Sequence, residues 1–286
     1  MSLILGGDAV LVRDAWAAIV PTFHQSVAHE NKSQEDWVPR DLPDLEKWAY
    51  IGPYIGSRDA TRRFLLFYTP EAEHRPPRQV VMRLQGYVEA ANLATLGNWN
   101  GHPTSAPRAV QFLVLGPGKD GAKPHGEQMD TIERIRRFIF AYLQRSYSSS
   151  DDNSLRLQRR VFTKVTEGEH YRRLDAIEDP GGRANRIRSR WAVTHKLDIG
   201  RRNVDGTLSR LPFFGIKRGD FVDVTVTFDI TNYGGKAGSS MTVPLQLLQV
   251  VQVYSPPPTK IIFSRLAGKA SIQTQGFNFA DDEMEE

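Results

Sequence analysis

The sequence predicts an α+β chain that is mainly β, built as antiparallel sheets or an OB-like barrel with one prominent amphipathic helix. Three observations carry this. Residues 62–69, 79–90 and 108–116 are rich in β-branched and aromatic side chains and are bounded by Pro or Gly, as strands are. Residues 220–230, DFVDVTVTFDI, set Phe221, Val222, Val224, Val226, Phe228 and Ile230 against Asp223, Thr225, Thr227 and Asp229, a period of two that predicts one apolar face. Only one long segment, EQMDTIERIRRFIFAYLQRSY at 127–147, repeats apolar residues (Ile132, Ile135, Ile139, Tyr142 or Leu143) at helical steps, with Arg134, Arg137 and Arg145 on its other side.

The elements follow in order. Residues 8–23 read as a strand or a short helix ended before Pro21, and His24 to Pro43 as a polar loop. A short helix begins near Asp44. The strands at 62–69, 79–90 and 108–116 have the character to pair in one sheet. After the helix, SSSDDNS at 148–154 is a turn-rich break and the candidate domain boundary. It divides the chain into an N-terminal α+β region (1–147), a β-rich basic region with a long hairpin (155–264) and an acidic tail (265–286), with a single domain as the alternative. RLQRRVFTKV from Arg156 reads as a strand or a short helix, and Pro180 opens a Pro-Gly-Gly turn. The strands 220–230 and 243–254 form a hairpin whose tip, TNYGGKAGSSMT, is Gly/Ser-rich and expected to be mobile. IIFSRL, from Ile261, has the character of one last strand.

Composition narrows the function. The chain has 286 residues, 40% hydrophobic and 24% charged, the balance of a globular protein. It contains no cysteine, so disulfides, thiolate metal sites, cysteine nucleophiles and iron–sulfur clusters are excluded. No apolar run approaches a membrane span, and the first residues lack a basic leader, so an intracellular protein, nuclear or cytoplasmic, is expected. GPGKDGAK at 116–123 fails as a phosphate-binding loop because Ala122 separates Gly121 from Lys123 and Pro124 follows. The seven histidines are scattered without ligand spacing, and the nucleophile-elbow and dinucleotide fingerprints are missing. His102, in a Gly-His-Pro stretch beside Trp99, lines a pocket or is an exposed loop residue. No cofactor or metal is expected, and an enzyme would have to assemble its site from dispersed residues.

Charge is unevenly placed. The net charge is +4, yet Arg183 to Arg218 holds ten basic residues against two acids, so the rest of the chain is net negative. GGRANRIRSRW, from Gly181, is the densest part. If it is a strand, Arg186, Arg188 and Arg190 share one face as an arginine comb. Guanidinium groups pair bidentately with phosphates and an adjacent aromatic stacks a base, so the expected partner is nucleic acid, single strands in particular. The expected contacts are Arg183, Arg186, Arg188, Arg190, Arg201 and Arg202 on phosphate, Lys217 and Arg218 at the mouth of the hairpin, and Trp191 stacking. Phe213, Phe214 and Tyr233 are further aromatic candidates, burial being the commoner fate of the two phenylalanines. The alternatives are a solvated surface, or a self-assembling scaffold in which the basic segment meets an acidic neighbour.

The tail places Phe277 and Phe279 ahead of Asp281, Asp282, Glu283, Glu285 and Glu286. In composition it resembles the tails of bacterial single-stranded DNA-binding proteins, which recruit partner proteins and compete with DNA for the basic groove. A protein partner held through Phe277 and Phe279, or a solubilising end, are its two readings. Over residues 208–254, where a Phe-Phe pair and Gly-Asp precede one long strand and a second rich in leucine and valine, the chain resembles uncharacterised proteins of large gene families in mushroom-forming fungi. That resemblance implies no activity, only an intracellular fungal protein from a mobile-element neighbourhood.

Overall fold

The computed structural model describes residues 1–8, 10–16, 37–54, 63–70, 76–148, 154–165, 171, 173–193, 196–235 and 238–256; at 233–239 it gives no side-chain placement. Among the described residues lie helices α1 (Leu42–Trp48) and α2 (Ala122–Tyr142). The strands are β1 (Ala49–Pro53), β2 (Arg63–Tyr68), β3 (Met82–Asn92), β4 (Val110–Gly116), β5 (Leu155–Arg160), β6 (Thr163–Lys164), β7 (Trp191–Ala192), β8 (Asp198–Arg202), β9 (Leu208–Arg210), β10 (Phe221–Phe228), β11 (Ile230–Gly235), β12 (Gly238–Thr242) and β13 (Leu245–Tyr254). The chain is mainly β, as its patterning predicts.

Five of these strands close a ring. β3 pairs antiparallel with β4, β4 with β5, β13 with β10, and β10 with β3. β5 and β13 complete it in parallel, with Leu157 opposite Leu245 and Gln158 opposite Gln246. In chain order the ring runs first, second, third, fifth, fourth, the connectivity of an OB barrel. β3 serves both neighbours: its first half lies along β10, and its second, beyond a bulge at Val88 to Ala90, lies along β4. Gly86 sits at the crossover, where an added Cβ would come within 3.0 Å of the Leu115 Cβ. Leu84, Leu113, Leu115, Leu157, Val224 and Leu247 fill the interior with Ile132, Ile135, Phe138 and Ile139 of α2. Where β5 leaves the edge of β13, β8 takes its place, pairing parallel through residues 249–252, and β9 follows as an outer strand.

Several expectations are corrected. Residues 62–69 do not join the sheet of β3 and β4; β2 pairs with β1 on one edge and with β11 on the other, in a second sheet ordered β1-β2-β11-β12. The Gly/Ser-rich stretch is likewise a strand pair, β11 with β12, because the open edge of β2 supplies backbone partners for Ile230 and Thr231. β10 is buried on both faces rather than one, and its polar residues are satisfied in place. Asp223 accepts from Arg83 and from Gln85 Nε2 at 3.2 Å, and Thr227 donates to the carbonyl of Val80 at 2.8 Å. α2 starts at Ala122, five residues before the predicted segment 127–147, because Pro124 falls in the first turn, where no backbone N–H is needed.

Residues 155–160, open between strand and helix in sequence, are the strand β5. It pairs with β4 across the Ser148 to Ser154 stretch, so elements on both sides of that break share one sheet. Met1–Pro256 cluster as one compact unit. The tail, including Phe277 and Phe279, the segment IIFSRL and most of His24 to Pro43 lie outside the described residues.

Candidate nucleic-acid interface

The second and third strands of an OB barrel, with the loops after the first and fourth strands, form the usual oligonucleotide surface of this fold. Here those strands are β4 and β5. Their inward residues Leu113, Leu115, Leu155 and Leu157 are buried, so alternation turns Val110, Phe112 and Val114 of β4 and Arg156, Gln158 and Arg160 of β5 outward. The register sets Val110 opposite Arg160, Phe112 opposite Gln158 and Val114 opposite Arg156. Arg156 reaches diagonally across one rung and lays its guanidinium over the half-buried Phe112 ring, 5.1 Å from the centroid. The flat cation, the ring and the Gln158 amide thus lie on a strand pair held rigid from behind.

Arg160 closes one end of this face. It lies 3.8 Å from a carboxylate oxygen of Asp229, whose other oxygen accepts from Arg63 Nε at 2.8 Å. Asp229 begins the β11–β12 excursion, so the pair ties the third strand to the loop region between the fourth and fifth. Neither RLQRR nor Phe112 was a sequence candidate. The arginines at Arg156 and Arg160, two apart from Gln158 on either side, were a usable signal, but it carries meaning only once the segment is known to be a strand.

The arginine comb is not a strand. Ala184–Ile187 is a 3-10 turn and residues 188–190 continue as turn, leaving only Trp191–Ala192 extended. The spacing explains it: Ala184 and Ile187, three apart, share one side of the 3-10 turn and are both buried with Leu96, Trp99, Val161 and Phe162. A strand would place them on opposite faces. Asp179, itself buried, accepts from the backbone N–H of Arg183 at 3.0 Å and of Ala184 at 2.8 Å and so starts the turn. Arg183, Arg186, Arg188 and Arg190 are all exposed. Arg183 lies 5.9 Å from the centroid of the Trp99 ring. Trp191 is half-buried against the same cluster, and its strand pairs with Lys164, four residues beyond Arg160.

The remaining basic candidates form other groups. Arg201 donates to Gln252 Oε1 at 2.6 Å, Gln252 donates to Asp220 Oδ2 at 2.6 Å, and the Lys217 N–H donates to that same oxygen at 2.8 Å. Buried Gln252 and Asp220 therefore bring Arg201 near the turn that carries Lys217 and Arg218. Arg202 turns to the opposite face of β8, where burial first, and then the charge of Arg13, hold its guanidinium below the usual range. Burial lowers Arg159 in the same way, opposed by the Asp198 carboxylate.

A groove of about 620 Å³ lies beside the barrel, walled by β8, β9, the loop before β10 and part of β4 and β13. Phe214 on its wall is 67% exposed, so burial is not the fate of both phenylalanines; Phe213 is partly buried against the core. His102 is an exposed loop residue that caps the 3-10 turn at Pro103–Arg108. In the 116–123 loop a side chain at Gly118 would strike Tyr87 and one at Gly121 would strike Trp16, so packing accounts for those glycines. Among the described residues no group of three or more His, Asp or Glu has metal-site geometry, and no helix is long and apolar enough to cross a membrane.

No family model matches the chain, and no curated protein matches it. Solved structures similar to it include the single-stranded DNA-binding protein encoded by bacteriophage T7, at 14% identity over 70% of this chain and 99% of that one, with a TM-score of 0.38. The single-stranded DNA-binding protein of bacteriophage Enc34 in complex with single-stranded DNA is similar at 12% identity over 73% of this chain and 98% of that one, with a TM-score of 0.30. At these TM-scores function has to be argued from the chain's own residues.

Proposed function

We propose that the protein is a non-catalytic binder of single-stranded nucleic acid, with the outer face of β4 and β5 as its primary contact. The observation that carries this reading is the Arg156 guanidinium over the Phe112 ring, flanked by Gln158 and Arg160 on a rigid strand pair. A ring and a planar cation side by side offer stacking to an unpaired base and charge to its phosphate, whereas a duplex hides its base faces. Arg183, Arg186, Arg188 and Arg190 then act on the backbone of the same strand, adding affinity without sequence preference. Trp191 holds their platform to the barrel.

Fluorescence anisotropy of a labelled DNA strand, its duplex and an RNA strand, at low and near-physiological salt, tests this. Single strands should bind more tightly than duplex, with affinity falling as salt rises. Phe112→Ala should weaken single-strand binding by about five- to a hundredfold, the range of one lost base stack, and leave duplex binding unchanged. Equal affinity for duplex and single strand, or no binding at low salt, would reject the proposal.

A further inference from the structure

We infer that the groove beside β8 and β9 receives one unstacked base of the strand bound on β4 and β5, an inference that rests on the function proposed above. Three of the most exposed large apolar side chains among the described residues converge on it: Ile177 at 80%, Phe214 at 67% and Leu208 at 57%. An apolar surface so open to water marks a binding site more often than a bare wall. Phe213 and Phe214 stand edge to face, 5.4 Å between centroids, so one ring is presented while the other braces it against the core. A volume of about 620 Å³ is within the range of small-ligand pockets, generous for a base with its sugar.

Charge selects the occupant. Of the ionisable groups on the wall, Glu178 is paired with Lys196 at 3.4 Å, and Asp198 faces Arg159. Among the described residues Arg210 is then the wall's cation with no acidic partner, and it is exposed beside Leu208. A near-neutral apolar slot with one free guanidinium at its rim matches a base attached to a phosphate better than it matches a polyanion. Gln111, which lines the groove, lies opposite Arg159 in the β4–β5 register, and alternation sets both on the side of that strand pair turned away from Phe112 and Arg160. A single strand crossing Phe112 would therefore round the edge of β4 and β5 before placing a base against Phe214.

The test uses oligothymidylate carrying one 2-aminopurine at successive positions, with anisotropy measured in parallel on the full-length protein. One position should change its emission on binding. That change should vanish in Phe214→Ala, and Arg210→Ala should weaken strand affinity several-fold. Because Phe214 is mostly exposed, its removal spares the core, and unchanged circular dichroism and melting would verify that. In Phe112→Ala, measured at saturating protein, the position-specific signal should persist. If Phe214→Ala leaves both the emission and the affinity unchanged while Phe112→Ala weakens binding, the groove inference falls and the strand-face reading stands. If Phe214→Ala alters only self-association in light scattering, the groove is a protein interface and the inference is overturned. If the native protein binds no strand at low salt, both fall.

Discussion

The stretches 156–160 and 183–190 are both arginine-rich, yet they are built in opposite ways. In 183–190 four arginines crowd into eight residues, all exposed, but the backbone is a 3-10 turn and offers no sheet face to align them on. In 156–160 there are fewer outward arginines, but β5 aligns Arg156 and Arg160 on one face, with Phe112 beneath the first. Density of charge attracts a polyanion from a distance, whereas alignment on a rigid sheet decides what it can recognise on arrival.

If that difference is real, the smaller group should matter more. Reversing Arg156 and Arg160 together (Arg156→Glu with Arg160→Glu) should reduce single-strand affinity by about a hundredfold at near-physiological salt, since two charge-assisted contacts become repulsive. Anisotropy reads this, and a loss below tenfold would break the comparison. Replacing Arg183, Arg186, Arg188 and Arg190 with Ala should cost about tenfold, for single strand and duplex alike, and flatten the salt dependence by about 0.7 in log–log slope per lost contact. A selective loss of single-strand binding would instead assign recognition to that turn.

Asp179→Ala sharpens the contrast without touching charge on the arginines. It leaves two backbone N–H groups unpaired at the start of the 3-10 turn, so denaturation should show a loss of about 1–2 kcal/mol. Its effect on affinity should not exceed that of the four-arginine variant. The smallest effect concerns the approach to β5. Tyr147 packs on Phe140 of α2 at 4.9 Å between centroids and donates to Glu133. Burial, then that hydrogen bond, push its phenol up to about 12 from an ordinary value near 10. A group raised on folding contributes its stability fully below its unfolded value and loses it as pH rises towards the folded one. The stability of Tyr147→Phe should therefore decline less steeply than that of the native protein between about pH 10 and pH 12. Strand binding should be unchanged.

Much of the fold was legible because period and composition report burial directly. Residues 82–92, 110–116, 221–228 and 245–254 are strands where apolar and β-branched residues say so, and the Ile132 to Ile139 repeat marks α2. Sheet membership was not legible. β2 looks like a partner of β3 and β4, and only the open edges of β1 and β11 place it elsewhere. The Gly/Ser-rich tip has little strand propensity of its own and is extended because a neighbour's backbone completes it.

The candidate site divides in the same way. The lack of cysteine and the excess of arginine in the second half follow from the sequence alone. Which arginines share a surface with an aromatic ring was decided by tertiary structure. Phe112 and Arg156 are separated by more than forty residues, and their contact depends on the β4–β5 register. That register comes from burying Leu113, Leu115, Leu155 and Leu157 in a closed barrel, and a one-residue slip would turn every one of those side chains to the wrong face.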